Sequence, residues 1–273
     1  MAEALDPPFD RPDRDFNNLP GWTWVGTYGG YYLQCDLLQG FEHGFFTRQW
    51  QGRGPDVLAG YVSAGISVHR LRQVHSARVL PASQATAEPW PEADGLVSDA
   101  GGQSLWACGA DCTPVLVADP VNGRVAACHA GWRGVAGGIL GAAIQQLEAG
   151  GSHRSDLLVA LGPAIGGSRY QVERAVSEQV ARSLAPSADP GQLPALLEDL
   201  RQCGALLDDP DPARDRLDIR AAARRQLEVL GLQTDRIATC PLCTAEESLL
   251  FHSWRRDQVK AVQWSGIVSQ QES

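Results

Sequence analysis

The stretch Ser104–Gly134, SLWACGADCTPVLVADPVNGRVAACHAGWRG, holds the pattern that decides the fold. It contains three short apolar runs: SLWAC (104–108), PVLVAD (114–119) and RVAACHA (124–130). They are rich in Val and Ala and are bounded by Gly109, Asp119-Pro120 and Asn122-Gly123. Short apolar runs between such breakers read as buried strands. Asn-Gly between two of them signals a tight hairpin, because both central residues of that turn need positive φ. Gly131–Gly134 then leads into a helix to about Glu148, with Val135, Ile139, Leu140, Ala143, Ile144 and Leu147 at helical spacing.

Outward from this centre the alternation continues. Trp22 to Leu37 reads as a hairpin, Gly44 to Thr47 as a short strand, residues 49–61 as loop, and Arg72 to Leu80 as a strand. Towards the C-terminus, LLVALG (157–162) reads as a buried strand. Helices are expected over Val172–Leu184, Pro194–Gln202 and Ile219–Leu230, and a last strand over Val262–Val268. The Gly-, Pro- and Asp-rich stretch 204–216 reads as a loop or insertion rather than a boundary. Hairpins with helices grouped elsewhere define an α+β class: a single-domain mixed sandwich of β-sheets flanked by helices. That domain is expected over 21–273, after a flexible, Asp-, Pro- and Arg-rich lead-in at 1–20.

The 273 residues suffice for a sizeable core, and 44% hydrophobic with 20% charged residues is ordinary for a globular chain. The formal net charge of -9 weighs against nucleic acid or an anionic membrane as partner, but not against a small anion held by local arginines. The start has no basic-then-apolar pattern, and no apolar stretch approaches a membrane span, so a cytoplasmic protein is expected. Seven cysteines, an odd number, do not make a disulfide framework; they read as buried small residues, metal ligands or nucleophiles.

Three segments carry chemistry: Gln73-Val74-His75-Ser76, Gly109-Ala110-Asp111-Cys112-Thr113-Pro114, and Cys128-His129-Ala130-Gly131-Trp132-Arg133-Gly134. Each puts a soft or borderline metal ligand at the end of an expected strand. Two imidazoles and a thiolate suit zinc, and three protein ligands leave one tetrahedral position open, the pattern of a catalytic site. Spacing alone does not decide between this set and buried, hydrogen-bonded residues, the ordinary fate of Cys and His.

QVHS, ADCTPVLVAD and HAGWRGVAGG, with LGPAIGGSRYQVE and FHSWRRD downstream, resemble the bacterial YfiH-like family, also called the laccase-domain or polyphenol oxidase family. The likeness runs from about Phe41 to the end. It implies a mixed sandwich similar to cysteine hydrolases. It also implies a purine nucleoside phosphorylase with adenosine deaminase activity, acting on adenosine, inosine, guanosine or methylthioadenosine. The implied metal ligands are His75, Cys112 and His129, with zinc as cofactor and copper as the less favoured metal. The chain departs from the family pattern in following Phe45-Phe46-Thr47-Arg48 with QWQGRGPDV, and in reading Ser168-Arg169-Tyr170-Gln171-Val172 for Cys-Cys-Tyr-Glu-Val.

With purine nucleoside and phosphate as partners, and a monomer or homodimer as the assembly, the remaining residues take expected roles. Asp111 is either the proton carrier or a turn cap or orienter of a ligand histidine; Asp94 reads as a turn residue, with a role in the site as its other reading. Gly131 and its neighbours would let backbone N–H groups approach an anion, and Arg133 and Arg48 would clamp phosphate, Arg48 having a surface ion pair as its other reading. Cys240-Pro-Leu-Cys243 is a weak metal or redox motif. His69 and His153 read as loop or surface residues, and Arg255-Arg256-Asp257 as a solvated ion cluster, with a pocket role as the alternative that the resemblance implies. Other functions stay open: a hydrolase of an amide such as a cell-wall precursor, with Cys112 as nucleophile and His129 as base; a copper phenol oxidase; and a non-enzymatic metal-binding protein.

Overall fold

The structure, a computed structural model, describes residues 19–270. Two six-stranded sheets stack face to face. The first has the order β1 (Trp22–Thr27), β2 (Gly30–Cys35), β3 (His43–Phe46), β15 (Gln263–Val268), β7 (Gln103–Gly109), β4 (Ser67–His69). The second has the order β14 (Ile237–Thr239), β10 (Leu158–Leu161), β8 (Thr113–Ala118), β9 (Val125–Ala130), β6 (Gly95–Val97), β5 (Val79–Pro81). Neighbours are antiparallel except β4 with β7, β5 with β6 and β10 with β14. A small third sheet joins β11 (Gln171–Glu173), β13 (Arg214–Leu217) and β12 (Leu206–Asp208). The helices are α1 (Pro55–Val62), α2 (Trp132–Ala136), α3 (Ile139–Ala149), α4 (Arg174–Arg182), α5 (Leu193–Gln202), α6 (Ile219–Val229) and α7 (Trp254–Asp257).

Side-chain alternation explains the layers. In β8 and β9, Leu116, Ala118, Val125 and Ala127 face the first sheet and meet Leu33, Phe45, Leu105 and Ile267 in the central core. The alternate residues Val115, Val117, Ala126 and Cys128 face the other way and pack on α3, α4, α5 and α6. Because both faces are covered, these strands are apolar throughout rather than alternating with polar residues. On the outer face of the first sheet Tyr32, Phe46 and Trp106 pack against Trp50, Leu58 and Ala59. The result is the α+β sandwich expected.

Several boundaries differ from the expectation. Residues 49–61 are not loop: Pro55, whose fixed φ suits a first helical turn, starts α1. The expected strand over 72–80 shrinks to β5, and 72–78 is irregular because its backbone is tied to a side chain. The helix expected to run from Gly134 to Glu148 is two helices, α2 and α3, parted at Gly138 with φ 81°. Residues 204–216 carry β12 and β13, and Val172 lies in β11, ahead of α4. His69 is buried in β4, not at the surface. Of the lead-in expected at 1–20, residues 1–18 lie outside the described residues, and Leu19 is buried in the central core. Among the described residues no helix is long and apolar enough to cross a membrane.

Two strand glycines make room for the outer aromatic layer. Gly266 of β15 lies between Gly44 of β3 and Trp106 of β7. A Cβ at Gly266 would stand 2.6 Å from the Trp106 indole, and one at Gly44 2.9 Å from the Tyr32 ring. Gly266→Ala is therefore expected to destabilise the fold by about 1–3 kcal/mol through overpacking. Urea denaturation measures it, and an unchanged midpoint would contradict the account.

Candidate metal centre

The β8–β9 hairpin brings two of the three donors together. Its register pairs Thr113 with Ala130 and Pro114 with His129, so Cys112, one step before β8, lies opposite Gly131 and near His129. The third donor arrives by long-range bonds. Gln73 acts as a false strand neighbour to β7: its Nε2 donates to Cys108 O at 2.7 Å and its Oε1 accepts from Cys108 N at 2.8 Å. The next residues wrap around the carboxylate of Asp94. Oδ1 accepts from His75 N at 2.9 Å, and Oδ2 accepts from Ser76 N at 2.6 Å, Ser76 Oγ at 2.7 Å and Val74 N at 3.2 Å. His75 is thereby held at φ 60° and Asp111 stands at φ 97°, both in the left-handed region that costs a non-glycine residue about 1–3 kcal/mol.

Asp94 also reaches the second histidine. His129 Nδ1 donates to Asp94 Oδ1 at 2.9 Å, and His129 N donates to Asp94 O at 2.7 Å. With Nδ1 committed, Nε2 is the nitrogen left for a metal, the usual carboxylate–histidine arrangement behind a metal ligand. The donor atoms of His75, Cys112 and His129 all lie within 4.8 Å of one another. His129 is buried, Cys112 half-buried and His75 exposed, so the site opens to solvent on the His75 side. Gly131 makes the clearance: a Cβ there would lie 2.8 Å from Cys112 Sγ and 3.5 Å from His75 Cδ2. Two imidazoles and a sulfur converging beside an unfilled corner fit a single metal ion.

The charges agree with that use. Burial works to raise the Cys112 thiol, but hydrogen bonds from His129 and His75 outweigh it and bring its pKa down to about 6. Burial opposes charging His129, yet its bonds to Asp94 and Cys112 lift it to about 9. Burial likewise opposes the charge on Asp94, and bonds from His129 and Ser76 overcome it, holding the carboxyl at about 2. Cys108, Cys128 and Cys240 behave differently: burial drives each up to about 12, so they stay as inert thiols at neutral pH.

A family model described as multi-copper polyphenol oxidoreductase laccase matches residues 58–269. The chain belongs to this family. A relative from Synechocystis named purine nucleoside phosphorylase is 40% identical over 262 residues, which is 91% of this chain and 97% of that one. The crystal structure of YlmD from Geobacillus stearothermophilus aligns with a TM-score of 0.75 at 26% identity, over 90% of this chain and 98% of the other. That of the YfiH protein from Bacillus licheniformis aligns at 0.74 and 24% identity, over 90% and 99%. The resemblance read from QVHS, ADCTP and HAGWRG is thus borne out in family and in fold.

Within this family frame, the other sequence-derived residues divide. Asp111 lines a small cleft with Cys112, Gly131, Trp132, Ile165, Tyr170 and Ile219. Its carboxylate does not orient a ligand histidine. It accepts from Thr244 Oγ1 and from Arg255 N, both at 2.7 Å, tying the metal loop to α7. Arg133 is exposed and stacks over Trp132 at 4.5 Å. Arg48 donates to Ser248 O at 2.6 Å, on the side where His252 and Asp257 feel its charge. Arg255 and Arg256 are more than a solvated cluster. Arg255 lies 4.9 Å over the Tyr170 ring, and Arg256 is tied to the carbonyls of Thr244 and Phe251. Cys243 Sγ accepts from Gly166 N at 3.1 Å, and Cys240 is fully buried, so that pair serves packing. Asp94 is the residue that local reading undervalued. Ala93-Asp94-Gly95 looks like any turn, and only the pairing of Gly95 with Cys128 places it against His129.

Asp94→Asn keeps the shape but presents an amide where His129 Nδ1 and three backbone N–H groups need acceptors. Affinity for a divalent metal ion is expected to fall about 10–100-fold, read by competition with a chromophoric chelator. A wild-type affinity in that variant would refute the role. Metal uptake should also weaken as pH falls from about 9, where His129 takes up the proton a metal must displace, and more steeply below about 6, where the Cys112 thiol is protonated as well. A flat zinc titration between pH 5 and 8 would contradict the assignment.

Proposed function

We propose that the chain is a zinc-dependent purine nucleoside phosphorylase with adenosine deaminase activity, acting on adenosine, inosine, guanosine and methylthioadenosine. The observation that carries this reading is the convergence of His75, Cys112 and His129 within 4.8 Å. It stands in a chain that matches nearly the whole of a relative named purine nucleoside phosphorylase. One mixed nitrogen and sulfur set suits a single zinc better than a multicopper cluster, which needs more donors. A zinc held there supplies a Lewis acid that polarises oxygen and makes a water more acidic.

The chain's own residues provide the rest. Trp132 and Tyr170 line the cleft beside Cys112 and offer aromatic faces to a purine. Gly131 leaves the sulfur side uncovered, and Arg133, with Arg48 as the more distant cation, supplies guanidinium donors for phosphate oxygens. Both reactions need a proton moved. In deamination it passes from the attacking water to the leaving ammonia, and in phosphorolysis to the purine as the bond to the ribose breaks. Asp111, in the cleft and bonded to the Thr244 hydroxyl, is the carboxylate we assign to that traffic. We place the enzyme in the cytoplasm as one catalytic unit over 21–273, working as a monomer or homodimer.

A second reading has one observation behind it. Without metal, Cys112 and His129 form a thiolate–imidazolium pair, the charge state of a cysteine hydrolase acting on an amide. Metal analysis separates the two: protein purified without chelator should carry about one zinc per chain under the first reading. Metal-replete enzyme with adenosine and phosphate should yield adenine and ribose 1-phosphate, and without phosphate inosine and ammonia. Cys112→Ala should lose the metal and both activities. Full activity in that variant would overturn the mechanism.

A further inference from the structure

An open groove of about 400 Å³, lined by Arg169, Ala245, Glu246, Arg255 and Arg256, lies beside the metal-donor cleft. Two contacts join them. The Arg255 guanidinium covers the Tyr170 ring at 4.9 Å, and Tyr170 is a wall of the cleft that holds Cys112. The Arg255 backbone N–H is bonded to Asp111, the neighbour of Cys112, at 2.7 Å. The groove is therefore one aromatic ring away from the donors and fixed relative to them.

Its cations differ in how far they are committed. Arg256 is spent: it grips Asp257 through Nε and Nη2 and bonds the carbonyls of Thr244, Ala245 and Phe251. Arg169 is exposed and uses only Nε, for Glu246 at 2.9 Å. Arg255 is exposed and uses only Nη1 of its side chain, for Gln171 O at 2.9 Å. Among the described residues that leaves both Nη groups of Arg169, with Nη2 and Nε of Arg255, for a ligand. Guanidinium forks match phosphoryl oxygens in pairs. In a chain of net charge -9 such a local island selects a small anion, not a polyanion.

We propose that Arg169 and Arg255 form a phosphoryl-binding subsite across Tyr170 from the metal donors. This rests on the phosphorylase reading for the ligand in the cleft itself. Two sources supply the same chemistry: free phosphate, or the 5′-phosphate of a nucleotide whose base and ribose occupy the cleft.

The test is calorimetric binding to metal-replete wild-type protein and to Arg169→Ala, with Arg182→Ala as a charge control on α4. The probes are adenosine, adenosine 5′-monophosphate and inorganic phosphate; turnover of inosine is followed separately. A 5′-phosphate source is shown by wild-type protein binding the monophosphate at least about tenfold more tightly than adenosine, and by Arg169→Ala alone removing that gain. A free-phosphate source is shown by an affinity for inorganic phosphate that drops about tenfold in Arg169→Ala only. Equal behaviour of Arg169→Ala and wild type towards both phosphorylated probes overturns the subsite, even if inosine is phosphorolysed. Loss of phosphoryl binding in Arg169→Ala without any inosine turnover would keep the subsite and remove the phosphorylase reading.

Discussion

A buried carboxylate that accepts from five donors ties the candidate centre together. Asp94 lies at the start of β6, inside the second sheet, where an unpaired charge would be costly. It is stabilised by the backbone of Val74, His75 and Ser76, the Ser76 hydroxyl and His129 Nδ1. The same bonds therefore neutralise a buried charge and set two of the three candidate metal donors. His129 is fixed through its ring and His75 through its backbone, which is why an exposed histidine can hold a strained conformation. Remove the acceptor and residues 74–76 and the His129 ring lose the bonds that orient them, leaving Gln73 as the loop's tie to β7.

The sandwich supplies what that carboxylate needs. β8 and β9 are covered on both faces, so the hairpin that carries Cys112 and His129 at its open end is rigid. The chain crosses from the first sheet to the second between Gly109 and Cys112, and the sulfur sits at that crossing. Asp111, strained at φ 97°, closes it from the other side by holding Thr244 and the start of α7. Donors on one side of the cleft and the Tyr170–Arg255 wall on the other are thus linked through a single loop. A change in either loop or wall is felt by both.

Charge is distributed against the overall balance. The molecule is acidic, yet Arg169, Arg255 and Arg256 line one groove, and in the cleft beyond Tyr170 a thiolate, an imidazolium and a carboxylate stabilise one another. Cys108, Cys128 and Cys240 are driven the opposite way, chiefly by burial. Reactivity is confined to Cys112 by its hydrogen-bond partners rather than by exposure, since Cys108 is half-buried too.

Local sequence determined a good deal by itself. Apolar runs of strand length specify β7, β8 and β9 and helical spacing specifies α3 and α6, whereas His75, Cys112 and His129 stand out as candidate donors only through the resemblance of QVHS, ADCTP and HAGWRG to the family. The strand and helix signals are legible because side-chain period and turn breakers belong to a few adjacent residues. What the tertiary structure decided rests on pairings across long separations. Ala93-Asp94-Gly95 carries no mark of its role until β6 lies beside β9. Residues 72–78 look like a strand until Gln73 and Asp94 claim their backbone groups. Arg255 looks like a solvated charge until α7 is drawn towards Asp111. In each case the deciding bond joins distant segments, and a buried polar group must find its partner wherever the fold puts one.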